Sequence, residues 1–176
     1  MRKLDLGPIR VEVLRDLPTL LGEESLSHLQ SLTIPYFDPS QFHIFRTMTS
    51  LRQLICLRGS RVVEPFTLGG APLLPSLESI SAHVRWIRAL TTGHQVTQIS
   101  AVQDTLWAAP IDWGDFGPQF GSDAMVRTVE WTGCSEPELL LDYLVASNPG
   151  VWHLDIKPLR EDPIFFKVKF GVSILV

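Results

Sequence analysis

The sequence predicts an α/β solenoid, with a parallel sheet on its concave face and helices or irregular segments on its convex face. Three observations lead to this prediction. An apolar triad recurs along the chain, polar residues alternate with the apolar ones inside each triad, and several intervals between triads have helical patterns. The 176 residues, of which 45% are hydrophobic, suit a single domain spanning 1–176 with a core of its own.

Each triad has an apolar residue, two other residues, a second apolar residue, one other residue and a third apolar residue. Triads begin at residues 6, 29, 51, 77, 96, 126 and 151, so that the intervals run from 19 to 30 residues. In the triad of Leu29, Leu32 and Ile34, the residues between the apolar positions are polar. This alternation is typical of a strand with one buried and one solvated face.

Helical patterns occupy four intervals, which are 14–28 with an interruption at Pro18, a segment from Asp38, 84–90, and 135–147. The last is the clearest, because Ser135 and Glu138 have capping-box spacing and Pro137 suits a first turn. Strands are predicted on either side of it, at 126–132 and 151–157. Together they predict one β-α-β unit.

A repeated β-α-β unit fits either a doubly wound sheet or a solenoid whose strands line one face. Units of the doubly wound fold usually run about 30 residues or more, and its nucleotide-binding form carries a glycine-rich turn after the first strand. The intervals here are mostly shorter, and the sequence has neither Gly-x-Gly-x-x-Gly nor a phosphate-binding loop motif. The pattern therefore favours the solenoid.

Over residues 6–160 the chain resembles a leucine-rich-repeat protein, whose repeats run about 20–29 residues. The irregular intervals and the run from Leu73 to Ile80, which reads LLPSLESI, are similar to the divergent repeats of fungal F-box-associated proteins. That resemblance implies a substrate-recognition arm of a ubiquitin ligase.

The chain departs from this family in two respects. The Asn or Cys that normally follows the strand is matched only by Cys134, and Asn148 is the single asparagine. Residues 1–28 show no F-box, so docking of a ligase core is not carried over. An isolated arm, a partial product and a diverged relative without the docking domain remain open.

In a solenoid, the strand residues outside the core form a continuous concave surface suited to binding a protein partner. We predict non-catalytic protein–protein recognition through this polar surface. Its candidate residues are Gln53, Ser81, His83, Gln98, Ser100, Glu130, His153, Asp155 and Lys157.

A second reading is a small hydrolase-like or transferase-like enzyme with its site at the strand ends near 130–157. His153, Asp155 and Lys157 alternate on one strand, and Glu130 lies on the neighbouring strand, so a base, a carboxylate and a cation would be close. No nucleophile in a family motif accompanies them, which favours a polar sheet face. A third reading is a fragment without independent function.

The longest interval, 104–125, is rich in aromatic residues and has no helical pattern in its second half. Long insertions in repeat proteins often bind partners, so Trp107, Trp113 and Phe116 are further candidates. The alternative is that these rings fold back over the repeats. Residues 164–176 read as a terminal strand segment.

Composition excludes other classes of function. The net charge of −4 and pI of about 5.7 argue against nucleic-acid binding by phosphate neutralisation. Neither a membrane span nor a secretory signal is visible. The five histidines lack metal-ligand spacing, so we expect no metal and no cofactor. The two cysteines and the absence of a glycosylation sequon favour an intracellular location, cytoplasmic or nuclear.

Overall fold

The computed structural model describes residues 2–7, 12–36, 42–58, 74–91, 95–103, 125–134, 136–147 and 150–158. Seven strands lie in these ranges, namely Lys3–Asp5 (β1), Ser31–Tyr36 (β2), Gln53–Arg58 (β3), Ser79–His83 (β4), Gln98–Val102 (β5), Thr128–Cys134 (β6) and His153–Pro158 (β7). Five helices lie there too, namely Glu12–Leu21 (α1), Glu23–Ser27 (α2), Phe42–Phe45 (α3), Val84–Thr91 (α4) and Pro137–Ser147 (α5).

All seven strands form one parallel sheet, in the order in which they occur along the chain. A doubly wound sheet would reverse its strand order at a switch point, and the described strands show no such reversal. The α/β class and the parallel sheet predicted from the sequence are therefore confirmed.

The apolar triads stack on one another in register. The row of second triad positions runs across the sheet through Leu4, Leu32, Leu54, Ile80, Ile99, Val129 and Leu154. The five inner members of this row are fully buried, whereas Leu4 and Leu154, on the two edge strands, are only partly buried. The apolar stack is thus best protected in the middle of the sheet.

Every strand begins with the same backbone arrangement. The carbonyl of the residue before each strand accepts two N–H groups from the start of the next strand, at 2.8–3.2 Å. The six accepting carbonyls belong to Arg2, Gln30, Arg52, Glu78, Thr97 and Arg127. Because this pattern recurs at all six junctions, the seven strand starts are structurally equivalent positions.

A short turn leads into three of the strands and adds a fourth buried position to the triad. The N–H of Leu29 donates to the carbonyl of Leu26 at 3.1 Å, and the same turn joins Leu51 to Met48 and Leu77 to Leu74. Leu26, Met48 and Leu74 are fully buried. These three repeats therefore carry an apolar residue three positions before the triad, a spacing that was visible in the sequence.

All five helices contribute buried residues to the same core cluster as the strands. The helices therefore cover one face of the sheet. Helix α4 matches the helix predicted at 84–90, and α5 matches the prediction for 135–147 except that it begins at Pro137.

The predicted interruption of a helix at Pro18 is wrong. Pro18 lies inside α1, and the break falls at Gly22, whose φ of 76° is readily adopted by glycine alone. The Gly22 N–H donates to the Pro18 carbonyl at 3.0 Å and closes the last turn of α1.

The first triad was also assigned to the wrong residues. Leu4 is the residue in register with Leu32, so Leu6 occupies the third triad position rather than the first. The strand ends early because the chain turns at Gly7, whose φ is 45° and whose N–H donates to Asp5 Oδ1 at 2.9 Å.

Some predictions lie outside the described residues: the helix start at Asp38, the Ser135 cap and the strand segment at 164–176. Within the described ranges, no helix has both the length and the hydropathy needed to cross a bilayer.

Candidate recognition surface

The sheet face opposite the helices carries the predicted recognition residues in register. We call it the open face. One row comprises Lys3, Ser31, Gln53, Ser79, Gln98, Thr128 and His153, and the next comprises Asp5, Thr33, Ile55, Ser81, Ser100, Glu130 and Asp155. Gln53, Gln98 and His153 are exposed, and Ser81, Ser100 and Glu130 are half-buried between neighbouring strands. The predicted surface is thus contiguous along these rows and accessible at these six residues, whereas Thr33 in the second row is buried.

The middle of the open face is polar but uncharged. Ser31 Oγ donates to Gln53 Oε1 at 2.9 Å, which links β2 to β3. Ser81 and Ser100 are direct neighbours on β4 and β5. Short hydroxyl side chains leave the backbone of the central strands close to the surface, so a partner can approach it closely there.

Charge lies at the two ends of the open face, with Lys3 and Asp5 on β1 and with Glu130, Asp155 and Lys157 on β6 and β7. Glu130 lies directly opposite Asp155, and the two strands are about 4.8 Å apart, as in any sheet. Lys157 Nζ lies 3.6 Å from Asp155 Oδ2, whereas Glu130 forms no ion pair or hydrogen bond within the described chain. Like charges placed directly opposite destabilise a sheet. This pair therefore does not contribute to holding the fold together.

His153 lies in the same part of the open face but does not join Asp155 in a catalytic arrangement. Its ring packs edge-on against Trp152, with the ring centroids 6.1 Å apart. No hydrogen bond connects His153 to Asp155 or to Glu130 in the described part of the chain. The group has no oriented base of the kind that a carboxylate–histidine pair would provide.

His83 was predicted on the accessible surface, and this prediction is wrong. Its register places it beside the exposed Val102, but its side chain is only 6% exposed. Helix α4 begins at the next residue, Val84, with no intervening loop. His83 therefore lies at a strand–helix junction, where its side chain is covered.

The aromatic candidates Trp107, Trp113 and Phe116 lie outside the described residues. On β3, Leu57 is 54% exposed and Ile55 is partly exposed, so this strand is the more apolar part of the open face.

Both cysteines are buried and reduced. The pKa of the Cys134 thiol is raised to about 11, chiefly by burial; the Glu136 backbone N–H lowers the pKa, and the Glu136 carboxylate raises it by a smaller amount. A thiol that keeps its proton at neutral pH is a poor nucleophile. Cys134 therefore acts as a core residue.

Sequence reasoning missed an exposed cluster at the edge of the sheet where β6 and β7 begin. Trp152 is 62% exposed, Met125 is 45% exposed, and Arg127 is exposed between them. The signal that could have found this cluster is the repeat itself, since the residue before each of the other six strands is polar.

Within the described residues, no group of three or more His, Cys, Asp or Glu side chains is placed to hold a metal ion. In comparisons with known proteins, no family model, no curated protein and no solved structure matches this chain.

Proposed function

We propose that this chain is a leucine-rich-repeat-like solenoid that recognises a protein partner through its open face, without catalysis. The observation that carries the proposal is that the seven parallel strands lie in chain order and that the described helices pack on one face of the sheet, so no described helix lies on the other face. Repeat architectures commonly use such a surface for binding.

The composition of the open face supports binding rather than folding. Hydroxyl and amide side chains in its middle supply adaptable hydrogen bonds, and the adjacent carboxylates of Glu130 and Asp155 offer a charged site at one end. The opposition of these carboxylates costs stability, and residues kept against stability are typical of functional sites.

We further propose that the partner is a substrate of a ubiquitin ligase, for which this chain serves as a recognition arm. The support is the resemblance of residues 6–160 to F-box-associated repeats. The corresponding expectation is that ligase-core subunits co-purify with the native protein from its own cells. Their consistent absence, while other partners are retained, would exclude the ligase role and leave recognition in place.

The recognition proposal is tested by blocking the open face. Ser81→Arg places a long cation in the middle of the face, and Ala146→Arg adds the same side chain to the exposed surface of α5 as a matched control. Proteins captured from native cells by the tagged full chain are compared by quantitative mass spectrometry. We expect a set of partners that Ala146→Arg retains and Ser81→Arg loses.

Equal capture by both variants, with both folded by circular dichroism, would refute binding through the open face. Cross-linking supplies an independent readout, because Lys3 and Lys157 lie at opposite ends of the face. Cross-links from partners to these two lysines are expected.

A further inference from the structure

Trp152 is an aromatic residue at a position that is polar before each of the other six strands. It immediately precedes β7, and the residues at the equivalent position of the other six strands are Arg2, Gln30, Arg52, Glu78, Thr97 and Arg127. All seven residues take part in the same backbone hydrogen-bond pattern. A polar side chain therefore serves the architecture at this position, yet Trp152 exposes 62% of its surface.

Exposed side chains lie where β6 and β7 begin; we call them the Trp152 patch, which comprises Met125, Arg127, Trp152 and His153. Arg127 is directly beside Trp152 on the adjacent strand, since the Trp152 N–H donates to the Arg127 carbonyl at 3.1 Å. The His153 ring packs against the indole edge-on, and Met125 is 45% exposed two residues before Arg127. Trp, Met and Arg are the residues most enriched at protein interfaces and their hot spots.

The charge of the patch indicates the chemistry of its partner. Along the row of residues that precede the strands, Arg52 pairs with Glu78 at 3.2 Å, whereas Arg127 forms no ion pair within the described chain. Within the part of the chain that the structure describes, the side-chain hydrogen bond found for Arg127 is a long one, from Nη1 to the Gly150 carbonyl at 3.4 Å. Most of its donors therefore remain for a carboxylate, although the whole chain carries a net charge of −4.

The size of the patch indicates the form of the partner. A stable interface between folded domains uses about 20–30 residues on each side. Four neighbouring side chains with one indole and one guanidinium suit instead a short segment that inserts two adjacent side chains.

We propose that the Trp152 patch binds a linear protein segment that places an apolar side chain on the Trp152 indole and a carboxylate on the Arg127 guanidinium. This inference rests on the proposed recognition function and names its anchor. The open face then extends the contact, because His153 belongs both to the patch and to the first row of that face.

The test uses a phage-displayed library of random 12-residue peptides, selected on the immobilised full chain. Enriched peptides are synthesised with a fluorophore, and their Kd values are measured by anisotropy. Sequences with Asp or Glu beside an aromatic or aliphatic residue are expected. Trp152→Gln installs the residue found before β2, Arg127→Gln removes the cation, and Arg52→Gln removes the equivalent cation that is already paired.

We expect Trp152→Gln and Arg127→Gln each to raise Kd by about tenfold or more, the size of an interface hot spot. Arg52→Gln should leave Kd within about twofold, because surface ion pairs contribute little. Replacing the acidic residue of the peptide by its amide should weaken binding to the wild type strongly but to Arg127→Gln only slightly. That coupling distinguishes a direct contact from a loss of fold.

The inference is overturned if no peptide is enriched, if the enriched peptides bind Trp152→Gln as tightly as the wild type, or if they are indifferent to the carboxylate. Peptides lost only on Ser81→Arg would overturn the anchor and leave recognition by the open face standing. Partners lost on Trp152→Gln but retained by Ser81→Arg would overturn recognition by the open face and leave the anchor standing. Circular dichroism and thermal melting of each variant establish that it is folded.

Discussion

Replacing Leu54 with Ala removes most of a side chain that lies fully buried in the middle of the apolar row. Its neighbours on either side, Leu32 and Ile80, are fully buried too, so water cannot fill the space. The lost transfer free energy is about 2.4 kcal/mol, for roughly three carbon groups at about 0.8 kcal/mol each. A cavity that closes only in part raises the cost to about 3–4 kcal/mol, within the range for buried leucines.

Leu154→Ala is the matched change at the edge of the same row. Leu154 is in register with Val129 but only partly buried, because no described strand lies beyond β7. Because the Leu154 side chain is partly exposed, it gains less transfer free energy on folding than a fully buried leucine. The space left by its removal is open to solvent, so no cavity cost is added. We therefore expect about 1.5–2 kcal/mol, roughly half the cost at Leu54.

Urea denaturation followed by circular dichroism measures both changes. Leu54→Ala should lower the midpoint without changing the slope, whereas Leu154→Ala should lower it less and can broaden the transition, since end repeats unfold more independently. Equal losses of unfolding free energy at the two positions would refute the reasoning, because they would show that the burial of the core does not decrease toward β7.

Three further predictions concern single sites. The pKa of Cys134 is raised from 9.0 to about 11 in the folded chain, so the unfolded chain releases this proton at lower pH. The free energy of unfolding should therefore fall as pH rises between those two values. Cys134→Ala should lessen this fall, as measured by urea titrations at a series of pH values. Gly22→Ala should cost about 1–3 kcal/mol by thermal melting, because an added Cβ has open space but the combination of φ 76° and ψ 149° is unfavourable for alanine; an unchanged melting temperature would contradict this. Glu130→Gln should stabilise the fold by about 0.2–1 kcal/mol through loss of repulsion from Asp155, and the gain should vanish in an Asp155→Asn background.

The sheet was predictable because its cause is local and periodic. In each inner triad, such as Leu51, Leu54 and Cys56, the apolar side chains are buried together, and the spacing that predicts this is read from six consecutive residues. The prediction of the first triad failed because it too depends on spacing alone, and Leu6 fits the spacing both as a first position and as a third position. Only the turn at Gly7, a backbone property that no side-chain pattern records, selects between them.

The candidate recognition residues were predictable as a face but not one by one. Register follows from the triads, so the neighbours of Glu130 and Ser100 could be named in advance. Burial could not, because His83 alternates correctly in register with the exposed Val102 and is nevertheless buried. Reasoning from the sequence pattern treats all strand ends alike, whereas the burial of a side chain at a strand end depends on the path that the chain takes after that strand.

The residues that depart from the repeat lie together at one end of the sheet. Trp152 replaces a polar residue at its position, and Glu130 and Asp155 place two carboxylates side by side in a row where β2, β4 and β5 carry hydroxyls. None of these choices helps the fold, since an exposed indole is solvated poorly and opposed carboxylates repel. Substitutions scattered by drift would have no reason to collect on β6 and β7. A partner that engages this end accounts for all of them at once, and it makes a definite demand: Trp152→Gln and Glu130→Gln should each preserve or raise stability while lowering affinity, the opposite of what any core residue would show.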